Sequence, residues 1–180
     1  MQSVGFKINA VENGWFEAEF RTCSKRIAVS ASDKWGNDAP KHLVKLVNQL
    51  VSGKINSGYV TFDETPGTYI LFIDNSSDTS LLYIFYSTKE TCHCKDFHTY
   101  GEMTLSDLLK KIEIKELLLF AEVDLEYLTD NLYREFDLYT DPRHLSIYEE
   151  NWNSFPSKEF NKLEALIRPE NYSHIKFVTA

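Results

Sequence analysis

Apolar and polar positions alternate through the first thirty residues of the chain. Val4, Phe6, Ile8 and Ala10 are separated by mostly polar neighbours, Phe16, Ala18 and Phe20 alternate with Trp15, Glu17 and Glu19, and Ile27, Val29 and Ala31 make a third set. A period of two marks a strand with one buried face. Asn13-Gly14, between the first two sets, tolerates the positive φ angles of a tight hairpin. The stretch predicts an antiparallel meander. The period then changes. Asn37-Asp38-Ala39-Pro40 supplies side-chain acceptors for orphan amides and a proline suited to a first helical turn. Leu43, Val44, Leu46, Val47, Leu50 and Val51 follow at helical spacing, and Gly53 stands where a left-handed cap belongs, so a helix is predicted over 39–52.

Three more strands are predicted over 58–63, 69–74 and 81–86, with Pro66-Gly67 as a turn and the wholly polar 74–80 as an exposed loop. The second and third are apolar throughout, as in central strands covered on both faces. Residues 91–100 read equally as a strand or an irregular loop. Thr104, with Asp107 three residues on, resembles a capping box and opens a helix running to about Ile112. The next stretch carries two periods at once. Leu117, Leu118, Ala121, Leu125, Leu128 and Leu132 fit a helical stripe, whereas Ala121, Val123, Leu125 and Tyr127 alternate with Glu122, Asp124 and Glu126. The Leu and Glu content favours a helix over 114–136; as an edge strand its acids would form one flat row. Asp141-Pro142 ends the region, and Pro156-Ser157-Lys158-Glu159 begins a last helix with Phe160, Leu163, Leu166 and Ile167 inward. The expected architecture is a single α+β domain over 1–180, a mostly antiparallel sheet of about six strands packed by two to four helices.

Composition narrows the function. With 43% hydrophobic residues in 180, the chain can bury an ordinary core. Its longest apolar run is six residues (81–86), so no membrane span is expected. Three cysteines make a poor disulfide framework, and the start lacks a basic, then apolar, leader, which together predict the cytoplasm. The net charge of −8 argues against nucleic acid as a partner. That charge is concentrated: nine acids and two bases give residues 113–141 a net −7, leaving −1 for the rest. A charge run is ordinarily a solvated face; the sharper reading is a surface that attracts a cationic partner.

Enzyme motifs are sparse. Cys92-His93-Cys94 and His98 are four possible metal ligands in seven residues, but one residue between the cysteines is tight for a zinc knuckle, and two half-buried cysteines on a strand is the plainer account. The five histidines are scattered. Glu113 and Lys115, with Asp96 or Asp107 upstream, loosely follow an acid-x-Lys metal-nuclease pattern that also arises by chance. No phosphate loop, dinucleotide fingerprint or nucleophile elbow is present. No cofactor or metal is expected; a small metal-dependent hydrolase or nuclease built on Glu113/Lys115 or the Cys92–His98 cluster, or a non-inhibitory interaction subunit, are the alternatives. Trp15, Trp35 and Trp152 are candidate interface aromatics; for Trp35, in a polar loop before the first helix, the plainer account is a lid folded back on the core.

The acidic, tyrosine-bearing stretch from Ala121-Glu122-Val123-Asp124-Leu125-Glu126-Tyr127 to Asp141, with the opening from Gly14-Trp15-Phe16 to Asp38-Ala39-Pro40, resembles a family type. The likeness is to the cytoplasmic immunity proteins of bacterial polymorphic toxin systems, including contact-dependent growth inhibition. The resemblance implies a stoichiometric inhibitor that covers the active site or substrate face of a cognate toxin, commonly a basic nuclease domain whose phosphate sites accept carboxylates. The residues expected to bind such a partner are Glu122, Asp124, Glu126, Asp130, Glu135 and Asp137, around a central aromatic, Tyr133 or Tyr127.

Overall fold

A computed structural model describes residues 3–88 and 98–168, apart from the Trp35 side chain. The expected meander is present as β1 (Gly5–Glu12), β2 (Trp15–Arg21) and β3 (Arg26–Ser32), an antiparallel three-stranded sheet in that order. Asn13 and Gly14 both take positive φ, 53° and 77°, as a two-residue hairpin requires. A Cβ at Gly14 would also stand 2.7 Å from an Asp33 carboxylate oxygen, so the Asp33 side chain would have to move aside. The first helix, α1 (Ala39–Val51), runs almost as predicted, with Pro40 in its first turn.

β4 (Ser57–Glu64), β5 (Gly67–Asp74) and β6 (Ser80–Ser87) form the middle of a second antiparallel sheet, flanked by β7 (Tyr100–Glu102) beside β4 and β8 (Glu116–Val123) beside β6. The remaining helices are α2 (Leu105–Lys111), α3 (Leu125–Asp137), α4 (Pro142–Asn151) and α5 (Ser157–Ile167). The chain is therefore α+β, with two sheets of three and five strands in place of one sheet of about six, and five α-helices among the described residues in place of two to four. Ala18 and Phe20 from the small sheet, Ile84 and Ala121 from the large one, and Leu43, Leu132 and Leu163 from three helices belong to one buried cluster. The opposite face of the large sheet carries a second cluster, Tyr59, Ile70, Phe72 and Phe85 under Leu108 and Ile112 at α2. Two covered faces explain why β5 has apolar residues at consecutive positions.

Two expectations are corrected. The helix predicted over 114–136 breaks at Asp124: residues 116–123 are strand β8, and only the part from Leu125 is helical. Leu119, Ala121 and Val123 face the core, and pairing with β6 satisfies backbone groups that would otherwise end the sheet there. Leu-rich helix propensity lost to that tertiary pairing. Asp124 caps the shortened helix, its carboxylate accepting the Tyr127 N–H at 3.0 Å. Asp141-Pro142 does not only end a region; it starts α4, with the Asp141 carboxylate accepting the Arg143 N–H at 3.0 Å. Residues 91–97 of the ambiguous segment lie outside the described residues.

Candidate partner-binding surface

α3 determines how much of the acidic run can meet a partner. Leu128, Thr129, Leu132, Tyr133 and Phe136 are buried, and helical spacing puts Glu126, Asp130 and Asp137 in one row along the flank of the solvent side, beside the buried Tyr133. Tyr127 flanks that row and is 43% exposed. Asp130 is paired with Arg134 at 2.8 Å, a solvated i,i+4 pair of small energetic weight that removes part of the net charge. Asp124 stands at the head of the helix as its cap, and Glu122 is exposed on β8, opposite Leu81 of β6.

Two of the seven expected contact residues serve the fold instead. The Glu135 carboxylate accepts the backbone N–H of Ile8 at 2.9 Å, tying α3 to β1. Tyr133 is buried, 2% exposed, with its ring stacked on Phe160 at 5.2 Å and its hydroxyl 3.3 Å from a Glu164 oxygen and 3.5 Å from Asp137. Burial, with the Asp137 and Glu164 carboxylates beside it, pushes the Tyr133 phenol up to about 12. Of the two aromatics expected at the centre, only Tyr127 is accessible. Trp152 is also buried, its indole N–H donating to Asp38 at 3.2 Å, and Trp15 is half-buried.

At the first turn of α3 the acidic row borders a groove of about 360 Å³, lined by Val51, Glu126, Thr129, Leu166 and Ile167. Leu166, expected inward, is 41% exposed here, and Val51 is 37% exposed. An apolar floor with a carboxylate on its rim suits a long side chain with a greasy stem and a cationic head.

A second polar site was not foreseen. The buried Asn37 amide donates to the Thr61 carbonyl at 2.9 Å and to the Asp63 carboxylate at 2.8 Å, which leaves its oxygen for His42 Nδ1 at 3.2 Å. Asp63, fully buried, also accepts from Thr68 at 2.7 Å. The same His42 nitrogen lies 3.2 Å from the Thr99 hydroxyl. Burial, reinforced by Lys45 and Lys41, lowers His42 to about 4, so the imidazole is neutral near pH 7. His42 stacks on Tyr100 at 4.3 Å, and the Lys45 ammonium bonds the Tyr100 hydroxyl. His42 and Tyr100 border an open hollow that also includes His98 and Thr99. Nothing local in the sequence announces this network, since its members lie on the β3–α1 connection, α1, β4, β5 and β7.

The hydrolase alternative gains no assembled centre among the described residues. No group of three or more His, Cys, Asp or Glu there is placed to hold a metal. Asp107 bonds Lys110 at 3.0 Å and Thr104 at 2.9 Å, and Glu113, Lys115 and His98 are exposed. Cys92, His93, Cys94 and Asp96 lie outside the described residues, while Cys23 is exposed. Among the described residues no helix is long and apolar enough to cross a membrane. No family model, no curated protein and no solved structure matches the chain.

Proposed function

We propose that the chain is a cytoplasmic binding protein of the immunity type, which neutralises a basic toxin domain through the solvent face of α3. The observation that carries this reading is a conjunction on α3: the Glu126, Asp130 and Asp137 row along the helix, with the exposed Tyr127 ring and an apolar groove rimmed by Glu126 at its first turn. A Lys or Arg side chain from the partner lays its stem on Val51 and Leu166 and sets its charge against Glu126. Tyr127 supplies rigid amphipathic area, and the excess carboxylates around it steer a cationic surface into register. Glu122 and Asp124 add to the field from outside the helix face; Tyr133 and Glu135 hold the face in place.

The test uses the toxin-bearing product of the neighbouring reading frame. The chain is expected to form a one-to-one complex with it and to abolish its activity. Reversing Glu126, Asp130 and Asp137 to Lys together should slow association about tenfold or more and flatten its salt dependence. A complex whose association rate is unchanged by the triple reversal would remove α3 as the docking face, and a neighbouring product left fully active would remove the inhibitor reading.

A further inference from the structure

We propose that the chain also associates with itself, pairing the free edge of β8 with the same edge of a second copy about a two-fold axis. β8 ends the five-stranded sheet, and among the described residues no strand pairs with its other side. Such an edge offers a row of backbone donors and acceptors to another strand. Beside it, Leu117 is 49% and Phe120 53% exposed, an unusual apolar content for an open edge.

The register makes this edge complementary to itself. Pairing with β6 slips by one residue between Ile84 and Phe85, so that Leu117 stands opposite Phe85 and Leu119 opposite Ile84, with Leu118 as the extra residue. Phe85 belongs to the outer cluster, and the Phe120 ring lies 5.0 Å from Tyr83, so Leu117 and Phe120 share the outer face. Leu118 and Leu119 both pack on the main core. Continuing the alternation outward puts Lys115 and Glu122 on that same outer face, both exposed. An antiparallel pairing centred between Leu118 and Leu119 then sets Leu117 against Phe120 of the second copy, and Lys115 against its Glu122, each twice. Without the slip, Leu117 and Phe120 would point to opposite faces and the match would be lost. A cationic strand from an unrelated protein would satisfy Glu122 but meet Lys115 with like charge; a second copy satisfies both.

The turn between β2 and β3 stands beside this edge, with Thr22, Ser24 and Lys25 lining one hollow with Leu117, Leu118, Leu119 and Phe120. The Lys25 ammonium, from the turn between β2 and β3, donates to the Leu118 carbonyl at the middle of the edge. It is exposed and on a flexible stem, so it can leave, but its departure weakens the dimer. An eight-residue edge is short for an interface, so a weak, concentration-dependent dimer is expected. This association does not use the acidic row of α3 and stands independently of the inhibitor reading.

Sedimentation equilibrium of the full chain alone, from about 5 to about 500 µM, tests the proposal. A monomer–dimer equilibrium is expected. Lys115→Glu and Glu122→Lys should each weaken it about tenfold, and the double exchange should restore it to within about twofold. Phe120→Ser should weaken it, and Lys25→Ala should strengthen it roughly threefold or more. A chain that stays monomeric throughout overturns the proposal. So does a dimer that ignores Phe120→Ser or that the double exchange fails to restore, since its interface would then lie elsewhere.

Discussion

β8 and α3 are neighbours in the chain, share one acidic composition, and are opposite in kind. Between them lies only Asp124. In β8 the residues facing the core are Leu119, Ala121 and Val123, spaced by two; in α3 they are Leu128, Thr129, Leu132, Tyr133 and Phe136, spaced by one and three in turn as on one face of a helix. The carboxylates follow. On the strand, Glu122 points away from the core, whereas on the helix Glu126 and Asp130 share a stripe and Glu135 is turned into a backbone bond with β1. Equal charge per residue thus yields a surface in one place and a structural tie in another. An acidic run becomes a docking face only where the local period collects its members on one side.

Mutation can break this contrast. The largest difference is expected between two phenylalanines. Phe136 is fully buried and lies near both Phe6 and Phe155, with ring centroids 6.3 and 6.4 Å away. Phe136→Ala should cost about 3–5 kcal/mol in denaturant unfolding, and Phe120→Ala, at an exposed site, less than about 1 kcal/mol. Comparable losses would mean that β8 is anchored through its outer face. The junction itself comes next. Asp124→Ala removes the cap of α3 and should cost about 1 kcal/mol, against less than about 0.5 kcal/mol for Glu122→Ala. An equal effect would show that the helix does not start where its cap stands.

The smallest effect is invisible at neutral pH. Tyr133 ionises at about 12 in the fold and near 10 when unfolded. The unfolded chain therefore loses this proton first, and the stability that depends on the neutral phenol is complete below pH 10 and lost as pH rises toward 12. Tyr133→Phe should make the alkaline decline in melting temperature shallower while leaving it near the parent value at pH 7. A decline that stays as steep would place the cause in the buried Tyr59 and Tyr148 or the half-buried Tyr69, whose phenols burial also raises.

Several elements could be read from local chemistry because the signals that make them are local. α1 follows from Pro40 and a six-residue apolar stripe, the first hairpin from Asn13-Gly14, and α2 from Thr104, whose hydroxyl accepts the Asp107 N–H at 3.2 Å. α4 was also legible in principle, because Asp141-Pro142 is a cap followed by an N1 proline, the same kind of start that announces α1. The candidate site was legible in part. Glu126, Asp130 and Asp137 fall on one helical face by spacing alone, but the burial of Tyr133 depends on α5 and the use of Glu135 depends on β1, elements distant in sequence.

By itself the sequence determined the alternation, the caps, the turns and the place where negative charge gathers, because these rest on contacts among residues a few positions apart. Only the tertiary structure decided that 116–123 is a strand, that two sheets form and not one, and that Asn37 joins Asp63 to His42. Each of these satisfies backbone or buried polar groups with partners far along the chain, and the free energy of leaving such groups unpaired exceeds the propensity differences that local reading weighs.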